Sequence, residues 1–230
     1  MKEAVLVSIA RSPRRSSLYH FTRAGNLPAI AGMDALLSSR SIDPAWTGER
    51  RQAAKEVPLG GRGATINAHL RIPDRMLADG VTQAQFRACL DRHVFFWPTW
   101  SDCRHMLDTY TRREPQTSFA VLQFDTVSLL REHYEAAKLS KYDSGSAPRY
   151  AAACTYRKSP AMFLPLREFG RTVDRLVPRT PSEIREVLIE DRAEGLSRHL
   201  TAVYADTVAL VPDQWRDRAQ PLADLRAREK

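Results

Sequence analysis

Five short runs rich in aromatic, β-branched and aliphatic residues, at 17–22, 93–97, 118–124, 184–190 and 200–204, most constrain what this chain can fold into. Runs of this length and composition predict strands. The segments between them carry a helical period instead. Asn26 is placed to cap a short helix bearing Leu27, Ile30 and Met33, after which Leu36-Leu37 resumes extended structure. Thr82 to Gln85 forms a capping box ahead of Phe86 and Leu90. A helix over 101–112 would have Met106, Leu107 and Tyr110 on one face; Asp125 caps another over 126–138, with Val127, Leu130 and Tyr134 inward. Strands interleaved with helices predict one mixed domain around a central sheet. Its expected span is 17–210. Residues 1–16 read as a loosely docked arm, and 211–230 as a charged tail of helical composition that Pro221 interrupts. Two polar stretches, 38–63 and 140–160, predict loops, the first closing in the glycine turns of Gly60-Gly61-Arg62-Gly63. Residues 160–177 show no clear period.

Of the 230 residues, 43% are hydrophobic, enough for a packed core. Lys and Arg number 35 against 27 Asp and Glu, and the net charge of +8 suits an anionic partner, nucleic acid being the commonest. Cys89, Cys103 and Cys154 are odd in number and form no close pair, which argues against a disulfide framework and for a reducing cytosol. Cys103, His105 and His93 match no zinc spacing, so no metal is expected. The apolar run at 5–10 is too short for a signal segment, and its basic residues follow rather than precede it. No stretch reaches the roughly 18 apolar residues of a membrane span. A soluble, cytoplasmic protein without a membrane partner is the expectation. The chain contains no phosphate-binding glycine motif of the P-loop or Rossmann type, no GxSxG and no HExxH, which argues against the chemistries those motifs carry.

Four places can carry chemistry. His20 and Thr22 share one side of their strand, because side chains alternate along it. Such a pair can hold a ligand, or His20 can simply satisfy a backbone group; the residues alone leave both open. Glu49-Arg50-Arg51 lies in the first basic stretch, where Arg50 reads as solvated and an arginine can also clamp a diphosphate through bidentate hydrogen bonds. Glu186 shares a strand face with Ile184 and Leu188. An acid on an apolar face is costly unless paired or functional. Either the strand is a wet edge, or Glu186 hydrogen-bonds a ribose hydroxyl and helps orient or deprotonate an acceptor. Phe95, Phe96, Trp97 and Trp100 are most simply core aromatics, although one or two could stack on a nicotinamide or a nucleobase.

Taken in order, these motifs resemble the DarT-like ADP-ribosyltransferases, the toxins of DarTG toxin–antitoxin systems. The likeness covers about residues 17–206 and runs through Leu18-Tyr19-His20-Phe21-Thr22 with Asn26-Leu27 and Ile30. It continues in Gly48-Glu49-Arg50-Arg51 with Lys55, Val57-Pro58 and Gly60-Gly61, and in Val94-Phe95-Phe96-Trp97 with Met106-Leu107 and Tyr110. It ends in Arg185-Glu186-Val187-Leu188-Ile189 and the strand at 200–204. The aromatic strand lacks the family's leading proline, and 140–180, where a target-reading loop should lie, carries no matching motif. The resemblance implies an α+β, ADP-ribosyltransferase-like fold: a split mixed β-sheet with flanking helices, gripping NAD as substrate. It implies transfer of ADP-ribose to a nucleobase of nucleic acid, single-stranded DNA ahead of RNA, by a bacterial toxin or defence effector with an antitoxin partner. Glu186 and Arg51 would be catalytic. His20, Thr22, Asn26, Arg51, Phe96 and Trp97 would bind NAD, with His20 and Thr22 at the nicotinamide ribose or amide and Arg51 at the diphosphate. Two alternatives stand beside it: a non-catalytic module of the same fold that binds NAD, a nucleotide or nucleic acid, and a protein-modifying ADP-ribosyltransferase.

Overall fold

Each of the five runs forms a strand, and each buries side chains: Leu18 and Phe21, Val94 and Phe96, Val121 and Leu122, Val187 and Ile189, Val203 and Tyr204. The computed structural model describes residues 2–148 and 154–227. The N-terminal part holds α1 (Lys2–Ala10), β1 (Ser17–Arg23), α2 (Leu27–Met33), β2 (Ala35–Leu37), α3 (Ser39–Ile42), β3 (Lys55–Leu59) and β4 (Arg62–Ile66). Next come α4 (Gln83–Asp91), β5 (His93–Phe96), α5 (Trp100–Arg113), β6 (Phe119–Asp125), α6 (Thr126–Glu132), β7 (Ala137–Ser140) and β8 (Phe163–Pro165). The chain continues with β9 (Glu186–Glu190), β10 (Arg192–Glu194), α7 (Leu196–His199), β11 (Leu200–Ala205), β12 (Ala219–Pro221) and α8 (Leu222–Ala227).

The longer strands pair into two four-stranded sheets. One has the order β1-β6-β11-β12, antiparallel except for the parallel β11–β12 pair. The other, β5-β9-β7-β8, is antiparallel throughout. They join where Tyr19 in β1 and Trp97, just after β5, exchange backbone hydrogen bonds of 2.9 and 2.8 Å. A shared core with Leu18 and Phe124 from one sheet and Leu139, Val187 and Ile189 from the other lies behind this junction. The fold is therefore the expected α+β class, a split mixed sheet with flanking helices. Among the described residues no helix is long and apolar enough to cross a membrane.

Several local expectations are corrected. Residues expected as a loose arm form α1, whose Leu6 and Ile9 are completely buried in the main core. Arg15 then ties the arm down, donating to the carbonyls of Ile184 at 3.0 Å and Ser182 at 3.1 Å. The helix expected over 126–138 stops at Glu132, because β7 is drawn into the second sheet between β9 and β8; tertiary pairing overrides local propensity there. The tail is likewise built into the fold: Trp215 is fully buried, its indole N–H donating to Ser197 Oγ at 2.9 Å, and Ala219–Pro221 extends the first sheet. Pro221 is accommodated in the outermost strand, where a missing N–H is tolerated. The stretch at 38–63 is not all loop. β3 and β4 form a hairpin around Gly60 and Gly61, whose φ of +57° and +76° is the two-residue turn with both centres left-handed. Residues 149–153 of the second expected loop lie outside the described residues, as do 228–230 of the tail.

Candidate active site

The sheet junction, the β3–β4 hairpin and the end of α4 enclose a cleft with an empty volume of about 1230 Å³ including its open mouth. His20, Thr22, Asn26, Arg51, Trp97 and Glu186, drawn from distant parts of the sequence, all line it.

Strand β1 supplies the first wall. His20 Nδ1 lies 2.8 Å from the Phe95 carbonyl, so this nitrogen carries the proton and donates. Burial pushes the imidazole pKa down to about 4, against a smaller upward pull from the Phe95 carbonyl. The ring is therefore neutral near pH 7, which leaves its Nε2 an acceptor. His20 thus satisfies a backbone group and also lines the cleft. Asn26 does not cap α2 with its side chain. Its Oδ1 accepts from Thr65 N at 2.7 Å, while its Nδ2 donates to Thr65 O at 3.0 Å and to Thr22 Oγ1 at 3.2 Å. Asn26 thus pins the β3–β4 hairpin to β1. We expect Asn26→Ala to lower stability by about 1–3 kcal/mol, since two backbone groups lose their partner. A denaturant melt checks this, and an unchanged midpoint would contradict it.

Arg51 forms the second wall and is 4% exposed. Its Nη2 donates to Asp91 Oδ1 at 2.7 Å and to Ser39 Oγ at 3.2 Å, and its Nε donates to Asn67 O at 3.0 Å. His69 Nε2 sits 3.0 Å from the same Asp91 oxygen, and Asp91 Oδ2 accepts from Gly48 N at 3.0 Å. Burial pushes the Asp91 pKa up, but the hydrogen bonds from His69 and Arg51 outweigh it and hold the carboxyl below its usual range. Most of the guanidinium is therefore committed to the protein. Nη1 makes a longer contact, donating to the Trp46 carbonyl at 3.5 Å. Asp91 and His69 belong to no motif in the sequence.

Glu186 closes the far end. Its strand β9 lies between β5 and β7, so it is central rather than an edge, and the side chain is 2% exposed. Ser144 donates to Oε2 twice, from its N at 3.0 Å and its Oγ at 2.6 Å. Among the described residues the other oxygen has no hydrogen-bond partner. Burial and the Asp143 charge push the carboxyl pKa up to about 8, against the downward pull of Ser144 and the buried Lys158. Glu186 also borders a second groove, with Tyr142, Tyr156, Lys141, Arg185 and His105. It stands in the partition between two openings.

Of the two aromatics expected at NAD, Phe96 departs from that expectation, while Trp97 lines the cleft. Phe96 is completely buried in the main core, edge-on to Phe124, and is not part of the cleft wall. Alternation along β5 turns Phe95 toward the cleft instead, and Trp97 stays in the wall, stacked on Phe21 at 5.2 Å between ring centroids.

Fold and site together define an α+β protein whose split sheet frames a cleft with a buried carboxyl and a buried arginine in its walls. The chain belongs to a family of unknown function, DUF7002, whose model matches residues 16–200. No curated protein matches it. It is similar to the solved structure of Thermus sp. 2.9 DarT in complex with NAD+, at 12% identity and a TM-score of 0.44, over 91% of this chain and 94% of that one. The same Thermus protein in complex with carba-NAD+ aligns at 13% identity and a TM-score of 0.42, over 91% and 95%. In complex with ADP-ribosylated ssDNA it aligns at 15% and 0.41, over 91% and 93%.

Proposed function

We propose that this protein is an NAD-dependent ADP-ribosyltransferase that splits NAD in the cleft and transfers ADP-ribose to a nucleobase, with single-stranded DNA the favoured acceptor. The observation that carries this reading is the common cleft that His20, Thr22, Asn26, Arg51 and Glu186 line, residues from separate sequence motifs. The acceptor Nε2 of neutral His20 suits the carboxamide N–H or a ribose hydroxyl. Arg51 Nη1 suits a diphosphate oxygen, and the Trp97 ring offers an apolar wall to the nicotinamide. The bond between ribose C1′ and the nicotinamide nitrogen breaks, its electron pair leaving with nicotinamide. An oxocarbenium-like ribose develops, which the ionised form of Glu186 stabilises. A nucleophilic atom of the base attacks C1′, and Glu186 orients it and takes its proton. The acceptor enters from the second groove, where Tyr142 and Tyr156 stack at 3.8 Å beside Lys141 and Arg185, a chemistry suited to a base and its phosphate.

On this reading the described chain, with its N-terminal helix and C-terminal strand packed into one core, forms the catalytic unit of a cytoplasmic toxin or defence effector, opposed by an antitoxin. Incubation with labelled NAD and either single-stranded DNA, RNA or protein tests it. The expected result is nicotinamide release and nuclease-sensitive label on DNA. Label on protein that resists nuclease would make it a protein-modifying enzyme, and NAD binding without release would make it a sensor.

A further inference from the structure

Lys158 is fully buried, although it is charged and outside every recognised motif. Its backbone is fixed by hydrogen bonds to the 76–78 segment: its N donates to Met76 O at 2.6 Å and its carbonyl accepts from Ala78 N at 2.9 Å. From that anchor Nζ donates to the carbonyls of Asp143 and, at 3.2 Å, Ser144. The Asp143 side chain closes the same turn, accepting from Ser146 N at 3.1 Å and from Ser146 Oγ at 2.5 Å. The turn so held is the one that presents the Ser144 N–H and hydroxyl to Glu186 Oε2.

A buried ammonium is costly unless it is paired and hydrogen-bonded. Here its donors go to two main-chain carbonyls of one turn, beside a buried carboxyl. We propose that Lys158 is a positioning residue for Glu186: it clamps the 143–146 turn so that Ser144 occupies one carboxyl oxygen and the other is turned to the substrate. The inference rests on the reading of Glu186 as the working carboxylate. Asp143 and Lys158 are the charged groups that act on Glu186, pushing its proton affinity up and down respectively. Asp102, His105, Lys141 and Arg185 share its groove. Asp102 is paired to Arg185 at 3.0 Å and Lys141 to Glu183 at 2.9 Å, which mutes their effect on it.

Carbon-13 NMR of the Glu186 carboxyl in the full chain, assigned with Glu186→Gln, reads this directly. Lys158→Met should move the Glu186 titration midpoint alkaline by about one pH unit, a tenfold change in ionised fraction at the foot of the curve. Ser144→Ala should move it the same way by less, because the amide donor remains. If Lys158→Met does not fold, Lys158→Gln replaces it, with a smaller shift expected. An unmoved midpoint in the folded lysine variant overturns the proposal. So does a shift in that variant with none in Ser144→Ala, which would leave charge alone at work. Nicotinamide release separates this from the proposed function. If the wild type releases none while the midpoints move, the function fails and the clamp stands. If it is active, Lys158→Met should lose about tenfold in kcat near pH 7.5, with KM for NAD within about twofold, and regain only part of it at higher pH, because ionising Glu186 does not restore the turn. Full recovery would leave charge alone at work and overturn the clamp.

Discussion

Glu186→Gln is expected to reduce nicotinamide release by about 10²–10⁴-fold while leaving the fold intact. The amide is close in shape to the acid, and its oxygen can still accept from the Ser144 N and Oγ that hold Oε2 now. What disappears is the negative charge beside ribose C1′ and the capacity to take the acceptor's proton. The wild type should gain activity as pH rises through about 8, since the working form is the carboxylate and burial and Asp143 hold the proton on. The variant should show no such limb. Stability should respond in the opposite sense. A carboxyl whose folded pKa is raised contributes stability that is complete below its unfolded value and lost as pH climbs through about 8. Glu186→Gln should therefore flatten the decline in stability across that interval. Rates and melts on the same two proteins check both halves, and equal nicotinamide release by variant and wild type would remove Glu186 from the mechanism.

Arg51→Met should cost about 3–5 kcal/mol of stability in addition to any loss of NAD affinity, because it leaves a buried carboxylate with part of its partner set. Arg51 and Asp91 are 4% and 2% exposed and 2.7 Å apart, so solvent screens little of the attraction. For a chain of this length each kcal/mol moves Tm by roughly 2–4 °C, which places the expected drop on the order of 10 °C. The pH dependence carries a second signature. Asp91 has its folded pKa lowered, so its contribution is present above its unfolded value and lost as pH falls through the folded one. In Arg51→Met that acid-side loss should shrink, and the two melting curves should converge as pH falls. A variant as stable as the wild type at pH 7 would show that His69 and Gly48 suffice for Asp91.

The contrast between Arg51 and Asp91 explains what could be read from the sequence. Arg51 lies in a basic run with nearby glycines and was visible as a candidate. Its partner ends α4, 40 residues away, where an acid reads as an ordinary polar helix terminus. Glu186 was legible because an acid interrupted an alternating apolar strand, and a buried central strand is what makes that interruption matter. Ser144 and Lys158 were not, since each lies in irregular chain and gains meaning only when the 143–146 turn is folded onto β9. Phe96 follows the same logic: an aromatic run shows composition, but which ring lines the cleft depends on the register of β5 against β9. The hairpin at Gly60-Gly61 did have a signal. Val57 and Leu59 alternate before the turn and Ala64 and Ile66 after it, masked by charged neighbours.

A crystal structure of Glu186→Gln with NAD, the variant chosen so that the substrate stays whole, tests the central claim most directly. The account predicts NAD in the cleft, with its nicotinamide ribose within hydrogen-bond reach of His20 Nε2 and residue 186, and a diphosphate oxygen at Arg51 Nη1. Ordered NAD elsewhere on the protein, or in the cleft with the nicotinamide end turned away from residue 186, would contradict it.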